Sequence, residues 1–171
     1  MVYPQIPIRG YRENHALIIF KLDYCNALYV NLPDKLIAKL QSVLHDAARL
    51  VTRTTRSEHI TPALIRLHWL SIKERIECKV ISTVFKGVHG EAPEYISELL
   101  HPYEPSSKPR SSTQNLLHEP RYRLKSAGYR CFEVAGPTLW NRLPPNICSI
   151  NSFNVFKKAL KTYLFKRSYG V

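Results

Sequence analysis

Eight of the twelve prolines in this chain fall between Pro93 and Pro145. Proline fixes φ and offers no backbone N–H, so that density rules out a long helix or a central strand across the span. Pro33 and Pro62, by contrast, stand alone at the heads of apolar-periodic runs, where proline fits a first helical turn. The distribution predicts regular helices first and a more irregular region after them.

In the first part, Leu36, Ile37, Leu40, Val43, Leu44, Ala47, Ala48 and Val51 recur at helical spacing, which predicts an amphipathic helix over Pro33–Thr52. Asp34 puts a carboxylate at its positive end, and Lys35, Lys39, Gln41 and Arg49 fall toward other faces. Packing accounts for this pattern better than a nucleic-acid-contacting face does. His15–Phe20 reads as the end of a helix that continues toward Tyr24, whereas residues 1–15 match no pattern. Thr61-Pro62 opens a short helix with threonine as cap. Ser71 and Glu74 have capping-box spacing, and the stripe Ile72, Ile76, Val80, Val84, Phe85 carries a helix to about Val88. Pro93 opens another, to about Leu100.

Residues 102–120 read as a Pro/Ser-rich linker. Beyond it, Tyr129-Arg130-Cys131-Phe132-Glu133-Val134 roughly alternates and predicts a short strand, with Gly136-Pro137 and Pro144-Pro145 as punctuation. Ser152 caps a final amphipathic helix to about Arg167, apolar through Phe153, Phe156, Leu160, Tyr163 and Leu164. The expected fold class is mainly α: a helical bundle over 16–101, the linker, and a basic extension over 121–171 with a short strand and a terminal helix.

At 171 residues and 44% hydrophobic content the chain is globular, with one or two small domains. Its net charge of +12 is unevenly spread. Residues 1–60 contribute +3, residues 61–104 contribute −1, and residues 105–171 contribute +10. Clustered cations repel one another unless an anionic partner screens them, so RNA or DNA is the expected partner; a solubilising surface is the plainer alternative. No apolar run is long enough for a membrane span or a signal peptide, so neither membrane nor export is expected. Cys25, Cys78, Cys131 and Cys148 form no Cys-x-x-Cys pair and read as reduced thiols of an intracellular protein.

Catalytic chemistry is missing from the sequence. Two-metal polymerase chemistry needs closely placed carboxylates, yet the only aspartates are Asp23, Asp34 and Asp46. Glu74/Glu77 and Glu94/Glu98 share helix faces and read as solvated carboxylates. His59 and His68 read as buried hydrogen-bonding residues, and Cys25 and Cys78 as small core residues. No cofactor, metal or small-molecule ligand is expected. The candidate site is instead the cations and tyrosines of the second half: Lys108, Arg110, Arg121, Tyr122, Arg123, Lys125, Tyr129, Arg130 and Arg142, then Lys157, Lys158, Lys161, Lys166 and Arg167 of the last helix. Arginine and lysine neutralise phosphates and tyrosine stacks on bases. An edge strand with charges facing water explains residues 121–130 as well, and a solvated basic face explains the helix nearly as well. If both are real, about 6–10 phosphate contacts are expected.

Leu22-Asp23-Tyr24-Cys25-Asn26, His59-Ile60-Thr61-Pro62, Leu67-His68-Trp69-Leu70, Arg75-Ile76 and Leu139-Trp140-Asn141-Arg142-Leu143-Pro144 occur in an order that resembles the C-terminal region of non-LTR retrotransposon (LINE, CR1/L2/Jockey-like) reverse transcriptases. Ala92–Ile96, Arg110-Ser111-Ser112 and Phe156–Lys161 extend the likeness over about 150 residues. The resemblance implies a post-palm piece of an RNA-directed DNA polymerase. Residues 16–101 would then be a thumb-like bundle that grips nucleic acid, with no catalytic centre of its own. It further implies apolar helix faces left exposed. Two alternatives are a helical module that binds a protein through such faces, and a decayed element product without selected function.

Overall fold

The computed structural model describes residues 17–104, 115–122 and 128–170. Among these the protein is mainly helical. Residues 17–23 form α1, followed by a 3-10 turn at Asn26–Tyr29. Then come α2 (Asp34–Thr52), α3 (Thr61–Arg66), α4 (Ile72–Val88), α5 (Glu94–Ser97), a second 3-10 turn (Gly128–Arg130), α6 (Phe132–Asn141), α7 (Pro145–Cys148) and α8 (Phe153–Tyr169).

Helix α4 is the axis of the fold. It packs against the first 3-10 turn, α2, α5, α6 and α8, and its Val80, Ile81, Val84 and Phe85 are essentially sealed from solvent. Phe85 stacks on Phe156 of α8 with centroids 4.2 Å apart, and Trp140 of α6 closes on Phe156 at 5.8 Å. Each such ring is worth about 3–5 kcal/mol against truncation to alanine. Residues on both sides of the expected linker thus share one core. The α2 stripe is only half used. Leu44, Ala47 and Ala48 are buried, while Leu36, Val43 and Leu50 are 44%, 48% and 63% exposed.

The expected strand at Tyr129–Val134 is helical instead: Gly128–Arg130 is a 3-10 turn and α6 starts at Phe132. Its short alternation had no partner to pair with, and a strand without a ladder is not stable. Gly136-Pro137 does not stop α6 either. A Cβ on Gly136 would lie 3.0 Å from Val84 Cγ2, so glycine lets α6 lie close on α4, and Pro137 is fully buried in that contact. Burial offsets the one helical hydrogen bond that proline removes.

Two parts of the Pro-rich stretch are described, and they run antiparallel. Tyr103 N–H donates to the Leu116 carbonyl (2.9 Å), His118 N–H donates to the His101 carbonyl (2.8 Å), and Pro102 and Leu117 form a bridge. That bridge is the only strand-type pairing among the described residues. Trp140 and Asn141 hold it down. The Trp140 indole N–H donates to the Asn115 carbonyl (2.7 Å), while the Asn141 amide takes the Leu117 N–H and donates to the Leu117 carbonyl, each at 2.9 Å. Asn141 pairs with Leu117 as a neighbouring strand would.

The helix starts also differ in detail. Ile60, not Thr61, holds the cap position of α3. Ser71 caps α4 by position, but its hydroxyl donates to the Glu74 carboxylate rather than accepting a backbone N–H. The first N–H of α4, at Ile72, donates to Gln41 Oε1 of α2 (2.8 Å). This fixes the amide so that Gln41 Nε2 faces His45 Nε2 (2.7 Å). Because an amide nitrogen only donates, that imidazole nitrogen must be unprotonated. Burial, with the nearby Arg49 charge, lowers the His45 pKa, opposed by Asp46.

Two outcomes follow from these contacts. Asn141→Ala strands the buried Leu117 amide and should cost about 1–3 kcal/mol in chemical denaturation. His45 binds protons less readily folded than unfolded, so its contribution is present above the ordinary imidazole value and is lost as pH falls through the lowered one. The melting temperature should drop between about pH 7 and pH 5. His45→Gln, which keeps an acceptor but does not titrate, should flatten that drop.

Candidate nucleic-acid interface

A cleft of about 640 Å³ lies along α4 and α8 and is bordered at one end by α1 and residues 67–70. Helical spacing builds its walls. On α4, Arg75, Lys79, Ser82, Thr83 and Lys86 recur every three or four residues along one face; on α8, Phe153, Lys157 and Lys161 do the same. Lys86 Nζ sits 4.7 Å from the Phe153 ring centroid, holding the two walls together at that end. At the other end Arg75 is tied down: its Nη1 donates to both Asp23 oxygens (3.0 and 2.8 Å) and its Nε to the Leu70 carbonyl (3.0 Å). Asp23 is the only carboxylate among the described residues that line the cleft, and Arg75 occupies it. Lys79, Lys86, Lys157 and Lys161 therefore line the space with no unpaired carboxylate on its described walls. Cys78 lies on the floor, its thiol pushed up by burial despite nearby Lys157 and Lys161, so it stays neutral.

The fourteen residues singled out from the sequence do not gather in one place. Lys108, Arg110, Arg123 and Lys125 lie outside the described residues. Lys157 and Lys161 line the cleft; Lys158 and Lys166 are exposed on α8 away from its walls. Tyr122 and Tyr129 do meet, with ring centroids 5.9 Å apart, beside exposed Arg121 and Arg130. The Tyr129 carbonyl accepts Asn31 Nδ2 (2.6 Å), and Tyr129 and Arg142 border a separate cavity of about 280 Å³ that also holds Asp34 and Glu77. Arg167 turns inward, donating to Glu77 and lying 3.8 Å from Glu74. Burial pulls its pKa down, but the Glu77 hydrogen bond and both carboxylate charges raise it on balance.

Several expectations change accordingly. Glu74 and Glu77 are not solvated: each is 9% exposed, because α8 packs over their face of α4 and supplies Arg167. His59 and His68 are exposed rather than buried, since each follows a turn; His68, at φ 52, ends the α3 turn and faces the Phe165 ring at 5.6 Å. Cys25 is an exposed left-handed residue at φ 51, not a core one. Lys79 and Lys86 were missed because residues 61–104 are nearly neutral in sum. Their i, i+7 spacing, opposite Glu74 and Glu77, was the available signal. No group of three potential metal ligands and no helix long and apolar enough to cross a membrane occurs among the described residues.

Arg167→Ala leaves two carboxylates unpaired at the α4–α8 contact. The loss should be about 1–2 kcal/mol by denaturation, below the ~3–5 of a fully buried pair because Arg167 is partly solvated. Lys157→Gln and Lys161→Gln, which relieve repulsion, should leave stability unchanged or slightly higher in the same measurement.

Comparison with protein-family models, with curated proteins and with solved structures gave no match to this chain.

Proposed function

We propose that this protein is a non-catalytic, nucleic-acid-binding helical module of the post-palm reverse-transcriptase kind, and that it holds phosphates in the α4–α8 cleft. The observation that carries this reading is the convergence of Lys79, Lys86, Lys157 and Lys161 on one cleft whose only acidic wall residue is already paired. Four like charges brought together with no free carboxylate among them raise the local potential, and a polyanion gains from releasing its own counterions there. Binding of this type is dominated by backbone charge and is indifferent to sequence at the phosphates.

The order of the sequence motifs supports the family origin, and their residues have structural work in this fold. Asp23 anchors Arg75, Tyr169 donates to the carbonyl of Trp69, and Trp140 with Asn141 clamps the 115–117 segment. Nucleotide incorporation by the isolated chain with a divalent metal would overturn the non-catalytic assignment.

Four phosphate contacts, fewer than the 6–10 expected when all the basic residues were taken together, imply an affinity loss of about 50–150-fold between about 50 and 200 mM salt. The Lys157→Gln/Lys161→Gln double variant should lower the salt slope by nearly two. An unchanged slope would remove the cleft from the interface. A protein partner is the second reading, favoured by Leu36, Val43 and Leu50 at seven-residue spacing on the exposed side of α2. It requires association that rises, not falls, with salt.

A further inference from the structure

Helix α2 leaves part of its apolar stripe uncovered, and the uncovered part has an order of its own. Leu36, Lys39, Val43, Asp46 and Leu50 are all exposed. At 3.6 residues per turn they fall within about 80° of arc, the narrow seam against which a second helix packs. The seam has two edges. Leu36, Val43 and Leu50 make an apolar edge, and Lys39 and Asp46 make a charged one beside it. Single exposed apolar side chains are ordinary on a protein surface, but three in register on one helix mark a contact surface. Neither Lys39 nor Asp46 belongs to an ion pair among the described residues. No residue of α2 lines the α4–α8 cleft, so the two surfaces are separate.

We propose that this seam is a self-association surface: two copies of the chain pair α2 with α2, antiparallel, about a two-fold axis beside Val43. The order Leu36, Lys39, Val43, Asp46, Leu50 reads the same in hydrophobicity from either end and changes sign in charge about its centre. A two-fold contact demands that of one surface, because every pairing occurs twice. Turned end for end, the apolar edge of one copy meets the apolar edge of the other, with Val43 against Val43 and Leu36 near Leu50. The charged edges meet as well, and each Lys39 comes beside Asp46 of the second copy. A parallel pair sets apolar edge against charged edge and brings Lys39 level with Lys39, which like charges oppose. From Leu36 to Leu50 the seam spans about 21 Å of helix. That is a small contact, so the dimer is weak, with a Kd of about 10–100 µM.

Sedimentation equilibrium of the full chain, free of nucleic acid and in reducing buffer, should show a monomer–dimer equilibrium in that concentration range. Lys39→Glu alone and Asp46→Lys alone each set like charges side by side twice, and each should weaken the dimer about tenfold. Mixed in equal amounts, the two variants should associate as the wild-type chain does, because both contacts then join opposite signs. Val43→Asp should abolish association. These three positions are exposed, so the variants should keep the wild-type circular dichroism. The Lys157→Gln/Lys161→Gln double variant should dimerise like the wild type, which separates this test from that of the cleft. A chain that stays monomeric throughout, whether its seam is bare or serves another protein, overturns the proposal. So does a dimer indifferent to Val43→Asp, or a pair of charge variants that mixing does not rescue.

Discussion

Helix α4 must be buried on several sides while carrying charge along most of its length. Lys73, Glu74, Arg75, Glu77, Lys79 and Lys86 all lie on it, between residues that are completely enclosed. A buried charge without a partner is not tolerated, so the packing around α4 is a set of answers to that constraint. Arg167 of α8 answers Glu74 and Glu77; Asp23 of α1 answers Arg75. Lys79 and Lys86 are answered by leaving a gap, and the gap is the cleft. The same helix pair that neutralises acid on one side therefore concentrates base on the other.

The aromatic contacts give this arrangement its rigidity. Phe85, Phe156 and Trp140 lock α4, α8 and α6 together, and Trp140 passes order on to the Pro-rich stretch through its indole N–H. The neighbouring Asn141 then satisfies both backbone groups of Leu117. The described parts of this segment, 101–104 and 115–118, are thus held as a short antiparallel pair by a helix terminus. Hydrogen bonding to a side-chain amide replaces the sheet that proline forbids.

Much of the helical content was legible beforehand, because an amphipathic period over fifteen or more residues leaves few alternatives. The helix at 33–52, the one that starts after Ser71 and the one that starts after Ser152 are all present with ends close to those expected. The strand at 129–134 was not, since a six-residue alternation is compatible with a helix whenever a neighbour offers a surface. The candidate site was half legible. Lys157 and Lys161 could be singled out from the basic tail, but Lys79 and Lys86 were hidden by summing charge over a segment. Net charge averages over faces that a helix keeps apart.

Periodicity, proline placement and charge content are properties of the chain alone, and they determined that this protein is helical, basic toward its C-terminal half and without adjacent aspartates. Which charges meet was decided only by tertiary packing. Arg167 and Lys161 stand six residues apart on α8, yet one is drawn into an ion pair and the other left facing the cleft. The reason is angular: six residues turn an α-helix by well over one full turn, and the register of α8 against α4 sets which cation finds a carboxylate.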